Sequence, residues 1–477
     1  MMKVAIIHYH LQRGGVTTVI ENAVEALEGI GVDCAVIGGL PYIGTRLKKH
    51  ACVEGLQYCQ KSRINGSTLG GELKSVAKRL LGSAPDIWHI HNHSLGKNIV
   101  FPELIKTLAQ AGERLYLQMH DFAEDGRPQN YQLLREGLIA AGVHSPYPIR
   151  GNIHYAVINS RDAGYLKAAG MPDDVLSIIP NAIVGKELPE DLRDPLPGTR
   201  KRLLLYPTRG IRRKNMGELL LLSMLMDDGN TVLASTLPPD NPLWHPIYEH
   251  WESLVKELKI PVLFGVGTRP DTRFEDWIGR SECLLTTSIQ EGFGLAYLEP
   301  WLFGKPLAGR NLPDITEDFS GIDLSNLYTQ IPIPRKLLSK NFAEKVEYAL
   351  TRYYESFKLR LPQGAVNAFM STKAPPESID FGALDEAEQE RIIRAIYRDP
   401  ELKTTLPCIK TDIPPAIIAR NRTVTTETYN LEQYAKRLLR DYRHLLSSSA
   451  DKLGAPIAPI KLLSCFLNPQ TFRFLKS

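Results

Sequence analysis

The chain has 477 residues, 57 Lys and Arg against 53 Asp and Glu, and a formal net charge of +4. Its 43% hydrophobic and 23% charged residues are typical of a soluble globular protein of roughly two to four domains, and they exclude a disordered or fibrous chain. A charge of +4 over this length attracts nucleic acid or a membrane surface only weakly, so any bound anion needs a local site.

The apolar stretches and the cysteines favour a cytoplasmic protein. The longest apolar run, residues 219–226, is far shorter than the ~20 residues that cross a bilayer. Residues 4–7 are too short for the apolar region of a signal peptide, and the six cysteines lack CxxC spacing. We therefore expect a reduced, cytoplasmic compartment, no stable membrane insertion and no nucleic-acid partner.

The first part of the chain alternates strands and helices. Residues 3–8 form a β-branched strand, a turn carrying Gly14 and Gly15 follows, and residues 16–27 have helical periodicity. A helix is predicted at 101–111, and the further predicted strands are 33–37, 87–91, 114–119, 155–159 and 176–179. This alternation predicts a parallel, doubly wound α/β domain over residues 1–184.

A proline-rich, charged segment at 185–201 predicts a linker, after which the alternation restarts. The predicted strands are 202–206, 231–234, 262–264 and 283–286, and the predicted helices are 216–226, 251–258 and 294–303. These elements predict a second α/β domain over residues 202–320.

The remaining residues are less regular. Residues 321–420 contain two predicted amphipathic helices, 336–357 and 384–397, and form a helical elaboration without an assigned role. Residues 432–446 have one apolar face and should pack against another element. The tail from residue 448 to residue 477 shows no clear pattern.

The most specific motif is SIQEGFGLAYLE at residues 288–299, with Glu291 and Glu299 on either side of a Gly-Phe-Gly turn. The turn presents backbone N–H groups at the start of a helix predicted near Leu295, where phosphate or a polarised hydroxyl is favoured. Taken alone, a capped helix with two solvated glutamates explains the motif equally well.

A basic loop in the same domain shifts that balance. Residues 207–215 (PTRGIRRKN) follow a strand and precede a helix, and Arg209, Arg212, Arg213 and Lys214 place four basic side chains in six residues. Arg and Lys side chains at the carboxyl end of a sheet suit a diphosphate. A basic surface loop is the alternative, but the shared domain favours phosphate binding.

In the first domain, Gly14 and Gly15 lie between a strand and a helix and allow the backbone to approach a ligand phosphate. The segment is not GxGxxG, and no acidic residue ends the second strand in the usual place. A nicotinamide site, and with it a dehydrogenase, is therefore disfavoured.

Histidines 89, 91 and 93 alternate along one segment, which allows a metal site if the strand continues that far. No carboxylate or cysteine accompanies them, and we favour no metal. On that interpretation the strand ends near His91, and Asn92, His93 and Lys97 lie in a loop beside the ligand.

His120 ends another predicted strand, where an imidazole can bond a sugar hydroxyl or exchange a proton. A histidine satisfied within a strand-end turn is the alternative. The polar loop 125–131 (DGRPQNY) follows, so we predict acceptor contacts from it as well.

Together these segments resemble a known family. Residues 10–15 (HLQRGG), His120-Asp121, 179–181 (IPN), Arg209 with Lys214, and 291–299 are similar to the large group of retaining GT-B glycosyltransferases, often called family 4, that includes glycogen synthase, sucrose-phosphate synthase and mannosyltransferases. The resemblance covers residues 1 to 315 in the family's order. It implies an α/β fold of two facing Rossmann-like, doubly wound domains, with a C-terminal helix at 430–447 crossing back to the first domain.

The resemblance also implies residue roles. Arg209 and Lys214 hold the donor diphosphate, Glu291 the donor sugar and Glu299 the ribose. The implied catalytic residues are His120, Arg209, Lys214 and Glu291, and the implied donor-binding residues are Gly14, Gly15, Arg209, Lys214, Glu291, Gly292, Phe293, Gly294, Leu295 and Glu299. The acceptor candidates are Arg13, Asn92, His93, Lys97, Asp121, Asn130 and Tyr131.

The implied reaction moves a glucose or mannose unit, with retained configuration, from a nucleotide diphosphate sugar to a hydroxyl of a small soluble acceptor. A compatible-solute glycoside, such as one built on glycerate, is one possibility. The donor is a substrate, and no metal or other cofactor is required. A monomer or a homodimer is expected. The alternatives are a GT-B nucleotide-sugar 2-epimerase and a non-catalytic GT-B sugar or nucleotide binder.

The sequence departs from the family's pattern after Glu299. The usual Gly-Gly-x-Pro-Glu segment is replaced by residues 309–314 (GRNLPD), where Asp314 stands in place of the glutamate.

Overall fold

The computed structural model describes residues 1–185, 187–226, 228–371, 377–407, 409–449 and 454–476. Lys186 of the predicted linker, residues 372–376 of the predicted elaboration, and residues 450–453 and 477 of the predicted tail lie outside the described residues. The chain divides into two compact units. The first contains residues 1–184 and 427–467, and the second contains residues 185–426 and 468–477.

The first unit contains a seven-stranded parallel sheet. Its strands are β1 (Lys3–His8), β2 (Asp33–Gly38), β3 (His50–Cys52), β4 (Ile87–His91), β5 (Leu115–Met119), β6 (Ile153–Val157) and β7 (Leu176–Ile178). They pair in the order β3-β2-β1-β4-β5-β6-β7. The order reverses between β1 and β4, so the loops after these two strands flank the crevice where ligands bind in open α/β sheets.

Helices cover both faces of this sheet, which explains why every residue of the central strands β4, β5 and β6 is buried, without alternation. The helices are α1 (Gly15–Glu28), α2 (Gly66–Leu81), α3 (Phe101–Gln110), α4 (Pro128–Ala141) and α5 (Ser160–Ala168). Leu69, Leu73, Leu104 and Leu108 of α2 and α3 are buried in the core on one face. The apolar side chains of α1 enter the core on the other face.

The second unit contains a five-stranded parallel sheet. Its strands are β8 (Arg202–Arg209), β9 (Thr231–Leu237), β10 (Val262–Leu263), β11 (Cys283–Thr286) and β12 (Leu307–Gly309). They pair in the order β10-β9-β8-β11-β12, so the order reverses between β8 and β11. Its helices are α6 (Met216–Leu225), α7 (His245–Leu258), α8 (Phe274–Arg280), α9 (Glu299–Leu302) and α10 (Pro313–Thr316).

The described part of residues 321–420 shares its hydrophobic core with this sheet. It contains the antiparallel pair β13 (Pro332–Pro334) and β14 (Ser378–Asp380), and the helices α11 (Phe342–Ser356), α12 (Ala365–Met370), α13 (Glu386–Arg398) and α14 (Pro415–Thr428). Ile392 and Ile393 of α13 are fully buried in one core with Leu219–Leu222 of α6. The stretch therefore buries apolar surface against the helix that follows β8.

The chain then returns to the first unit through α15 (Leu431–Ser447) and α16 (Pro459–Phe466). Tyr434, Leu438, Tyr442 and Leu445 of α15 are buried in the core that contains the apolar side of α1. This confirms the predicted return of a C-terminal amphipathic helix to the first domain. The short helix α16 lies in the tail, where the sequence showed no pattern.

Several predicted helix boundaries were wrong, in part because of proline. The helix predicted at 294–303 is a 3₁₀ turn at Leu295–Tyr297 followed by the four-residue α9. Pro300 has no N–H for a bond to a preceding carbonyl and is tolerated only in the first turn, so the helix begins at Glu299. Pro246 likewise lies in the first turn of α7, which starts six residues before the predicted 251.

Two further predictions also fail. The predicted helix 336–357 begins only at Phe342, because Arg335–Leu337 form a separate 3₁₀ turn. The predicted loop 125–131 contains the start of α4, with Pro128 in its first turn. The acceptor candidates Asn130 and Tyr131 therefore lie on a helix. None of the helices in the described ranges has the length and apolar character that a bilayer crossing requires.

A buried arginine ties the second unit together. Arg310 follows β12 and is 3% exposed. Its Nε and Nη2 donate to Glu218 at 2.8 and 2.6 Å, and its Nη1 and Nη2 donate to Asp380 at 2.8 and 2.9 Å. Tyr328 also donates to Glu218, at 2.8 Å. One guanidinium thus joins α6, β12 and β14, and it holds the pKa of Asp380 below its ordinary value despite burial.

We expect Arg310→Met to destabilise the second unit by about 3–5 kcal/mol, because it leaves two buried carboxylates without their cation. Urea unfolding followed by tryptophan fluorescence measures this effect, since Trp244, Trp251, Trp277 and Trp301 lie in this unit. Arg394→Met is the control, because Arg394 pairs with Glu257 and Glu390 at the surface and should cost about 1 kcal/mol or less. Equal losses in the two variants would contradict this account of Arg310.

Candidate active site

Two loops of the second unit meet beside the strand pair where the sheet order reverses. The loop after β8 contains a 3₁₀ turn at Arg212–Lys214, and the loop after β11 begins at Thr287. The N–H of Ile289 donates to the carbonyl of Arg213 at 2.9 Å, and the Thr287 hydroxyl donates to the carbonyl of Lys214 at 2.9 Å. These bonds fix the basic loop against the Gly-Phe-Gly segment.

Lys214 and Glu291 consequently form an ion pair, Nζ to Oε1. Their side chains are only 15% and 11% exposed, so each is partly desolvated and held in one orientation. The two residues are 77 positions apart in the sequence, and the structure brings them together at the carboxyl edge of the sheet. A cation for phosphate and a carboxylate for hydroxyl groups are therefore adjacent.

Glu299 begins α9 in the same unit. Its side chain is exposed, yet the surrounding protein desolvates the carboxyl and raises its pKa to about 7, and the negative charge of Glu291 adds to this shift. Lys214 opposes the shift. Electrostatic coupling therefore links Glu299 to both members of the ion pair.

The Gly-Phe-Gly segment turns tightly at Gly294, which has φ of 90°. A Cβ at this position would lie 2.8 Å from Cγ2 of Ile315, so the turn requires glycine. Phe293 is buried, whereas Gly292 and Leu295 are exposed. Gly292 and Leu295 thus lie at the exposed edge of the turn.

Three of the four basic side chains in the predicted diphosphate clamp have protein partners. Arg212 donates to both oxygens of Glu386 in α13, at 2.5 and 2.9 Å, so its guanidinium is tied to that helix, and its part in the clamp stays a prediction. Arg209 pairs with Asp240, whose side chain is 81% exposed. An exposed carboxylate is a weak partner, so Arg209 can exchange it for a ligand.

Asn215, the residue after Lys214, is held by buried side-chain hydrogen bonds. Asn215 has φ of 54° in the left-handed region, and its Nδ2 donates to Glu218 at 2.7 Å. Gln389 of α13 donates to the Asn215 Oδ1 at 2.8 Å. Glu218 is in turn bound by Arg310, so a buried polar network supports the Lys214 loop. No local pattern predicts this network, because the partners lie far apart along the chain.

In the first unit, the loop after β1 leads into α1. Gly14 has an extended backbone, and no side chain caps the start of α1 at Gly15. Thr17 donates to the carbonyl of Gln12 at 2.6 Å and fixes the turn. The uncapped N–H groups of a 14-residue helix favour an anion at this end. Arg13 is exposed in the same turn.

A buried histidine cluster lies at the ends of β4 and β5. Nδ1 of His91 is 2.9 Å from Nε2 of His120, and the rings of His89 and His91 stack with centroids 4.3 Å apart. Burial lowers the pKa of His120 to about 4 and also lowers the pKa of His91. The cluster is therefore neutral at pH 7.

The loop after β4 separates His93 from this cluster. The strand ends at His91, as predicted, and His93 contacts the carbonyl of Pro146 at 3.0 Å. Asn92 has φ of 55°, and its Oδ1 accepts from the backbone N–H of His120 at 2.7 Å and of Asp121 at 3.2 Å. Within the described residues, no group of three or more His, Cys, Asp and Glu side chains is arranged to hold a metal ion.

The remaining acceptor candidates line or border the same edge of the first sheet. Arg127 donates to Asp121 at 2.5 Å, and the half-buried Lys97 has its ammonium 5.1 Å from the centre of the Tyr58 ring. Asn130 donates to the carbonyl of Leu95 at 3.0 Å, and Tyr131 is 8% exposed. Asn130 is thus bonded to the protein backbone and Tyr131 is buried, whereas the Lys97 ammonium lies beside the exposed ring of Tyr58.

The chain is similar in sequence to a protein of known activity. A mannosylglucosyl-3-phosphoglycerate synthase from Petrotoga mobilis is 30% identical over 429 residues, covering 82% of this chain and 80% of that protein. No family model matches the chain.

Solved structures share the fold. HepE of Anabaena, in complex with UDP and glucose, has a TM-score of 0.54 at 12% identity and covers 92% of this chain and 99% of its own. The catalytic domain of starch synthase IV from Arabidopsis thaliana, bound to ADP and acarbose, has a TM-score of 0.51 at 13% identity, covering 94% and 99%. The chain therefore belongs to the GT-B glycosyltransferases, in the family that includes mannosylglucosyl-3-phosphoglycerate synthase.

Proposed function

We propose that this chain is a retaining hexosyltransferase that moves glucose or mannose from a nucleotide diphosphate sugar to a hydroxyl of a small soluble acceptor. The name of the relative from Petrotoga mobilis supports an acceptor built on phosphorylated glycerate, namely glucosyl-3-phosphoglycerate. The UDP, glucose and ADP in the solved neighbours support a nucleotide sugar donor. The proposal includes a cytoplasmic location for the enzyme.

The observation that carries the proposal is the contact between Lys214 and Glu291. Lys214 and Arg209 bind the donor diphosphate, and the Glu291 carboxylate accepts hydrogen bonds from hydroxyl groups of the donor sugar. Glu299 accepts hydroxyls of the ribose, while backbone N–H groups of residues 292–295 contact the sugar or the phosphate. Preorganised cations at the diphosphate stabilise the charge that develops on the leaving group. They fill the role that a divalent metal has in other transferases.

The proposed reaction takes place on one face of the sugar. The bond between the anomeric carbon and the diphosphate oxygen breaks, and the acceptor oxygen bonds to the same carbon from the same side. The acceptor's proton passes to the departing phosphate oxygen. Glu291 is held by Lys214, so we do not assign it the role of a covalent nucleophile. The two-carboxylate template of glycosidases accordingly does not apply to Glu291 and Glu299.

In the first unit, we propose that His120 bonds the transferred sugar. Its Nε2 is occupied by His91, which leaves Nδ1 for a substrate hydroxyl. With a pKa of about 4, His120 is neutral at pH 7 and serves as a hydrogen-bonding group instead of a charged acid. Gly14 and Gly15 retain the predicted role of admitting phosphate close to the backbone.

Lys214→Ala and Glu291→Ala should each lower the rate of hexosyl transfer by at least about 100-fold, because each removes a charged group aimed at the donor. The rate of nucleotide release with donor and acceptor measures the effect, and circular dichroism checks folding. Lys201→Ala, at an exposed position before β8, is the matched control and should behave as the wild type. Unchanged turnover in both site variants would contradict the assignment.

The raised pKa of Glu299 predicts a pH dependence of donor binding. Only the ionised Glu299 carboxylate accepts hydrogen bonds from both ribose hydroxyls. The affinity for the donor is therefore full above pH 7 and is lost as the pH falls through about 7. The donor's diphosphate diester keeps its charge over this range. The donor KM should rise by about 10-fold between pH 8 and pH 6.

Glu299→Gln provides the comparison, because its amide does not titrate. Its donor KM should be higher than that of the wild type at pH 8 and flat from pH 6 to pH 8. A variant that keeps the full pH dependence of the wild type would show that another group titrates.

A further inference from the structure

The half-buried ammonium of Lys97 lies in a defined polar setting in the first unit. Lys97 is in the loop after β4, and its carbonyl accepts from the N–H of Cys59 at 2.8 Å, which ties this loop to the one carrying Tyr58. The Lys97 Nζ lies 5.1 Å from the centre of the Tyr58 ring, and the Tyr58 hydroxyl is 3.1 Å from Nε2 of His10. Aromatic contact thus orients the ammonium without neutralising it.

The charges around Lys97 do not balance. Among the described residues, no carboxylate lies within ion-pair distance of the Lys97 ammonium, and the nearby Asp121 is paired with Arg127 at 2.5 Å. Burial and the positive charge of Arg127 lower the pKa of Lys97, and the negative charge of Asp121 opposes this shift in part. Lys97 therefore has a half-buried positive charge without an ion-pair partner, and an anion bound there would be stabilised by it.

The nearby histidines do not supply this positive charge. Burial lowers the pKa of His8 and of His120 to about 4, so both are neutral at pH 7. The Arg127 Nη1 and Nη2 atoms are committed to the carbonyl of Phe122 at 2.9 Å and to Asp121, which fixes the guanidinium in place. Lys97 therefore has the available donors, and Arg127 adds a fixed positive field.

The position of Lys97 relates it to the acceptor. It lies at the carboxyl edge of the first sheet, five residues after Asn92, whose Oδ1 holds the backbone N–H groups of His120 and Asp121. The loops after β4 and β5 thus share one support. An anion bound at Lys97 would therefore lie at the same edge of the first sheet as His120.

We propose that Lys97, with Arg127 beside it, binds the phosphate of a phosphorylated acceptor and so selects phosphorylated over unphosphorylated acceptors. This inference rests on the proposed function and deepens it by naming the group that is recognised. An ammonium contributes three donors, which suit the oxygens of a phosphate monoester. The carboxylate of a glycerate is the competing anion, and the test separates the two.

The test compares the acceptor KM values of the wild type and of Lys97→Gln for glucosyl-3-phosphoglycerate and for its dephosphorylated form, glucosylglycerate. The wild type should prefer the phosphorylated acceptor by about 10- to 100-fold in KM, and Lys97→Gln should lose most of this preference, because a charge-assisted contact is removed. The donor KM and the melting temperature show that the donor site and fold are intact. Lys61→Gln, at an exposed lysine in the same unit, is the matched control and should keep the preference.

The outcomes are distinct. A preference kept in Lys97→Gln overturns the inference, and an equal rise in KM for both acceptors assigns Lys97 to the carboxylate and overturns the phosphate assignment. Calorimetric binding of 3-phosphoglycerate needs no transfer, so it tests Lys97 even if the proposed function fails. A dissociation constant at least about 10-fold higher in Lys97→Gln supports the inference, and equal affinity or no binding to the wild type overturns it.

Discussion

The ion pair between Lys214 and Glu291 is the contact on which the proposed donor site depends. It exists because β8 and β11 pair in parallel, so the loops that follow them leave the sheet at the same edge. Bonds from residues 287–289 to the carbonyls of Arg213 and Lys214 then fix one loop on the other. Behind them, the buried Arg310 binds Glu218, which holds Asn215 directly after the lysine. Residues 321–420 take part through Gln389 and Asp380, so this stretch braces the donor loop as well as the core.

The candidate site residues of the two units differ in charge. The second concentrates charged groups, with a cation and a carboxylate in contact and a second carboxyl, Glu299, whose pKa is raised to about 7. In the first, burial keeps the histidines at the ends of β4 and β5 neutral, with the pKa of His120 lowered to about 4, and the Lys97 ammonium faces an aromatic ring. Charged groups suit a diphosphate leaving group, whereas neutral donors and acceptors suit sugar hydroxyls, and an unpaired lysine suits an anionic acceptor.

Much of the fold could be predicted from local sequence. Strands β1, β4 and β11 have the predicted bounds, because apolar runs buried on both sheet faces carry a strong signal. The sequence also predicted that the 207–215 loop and the 291–299 motif belong to the same domain. The Arg310 network was not predictable, since Glu218 and Asp380 lie 92 and 70 residues away along the chain. Nor was the bond between Arg212 and Glu386, because the two residues lie 174 positions apart along the chain. Proline at position 300 decided where α9 begins, against the helical pattern before it.

The stereochemical course of the reaction tests the central claim most directly. The protein, an α-linked nucleotide diphosphate hexose and glucosyl-3-phosphoglycerate can be followed together by proton NMR through the anomeric signals. The account predicts a disaccharide product with a new α linkage, formed as the donor signal declines. A β-linked product would contradict the same-face reaction, and a free or epimerised sugar without any transfer would contradict the assignment as a hexosyltransferase.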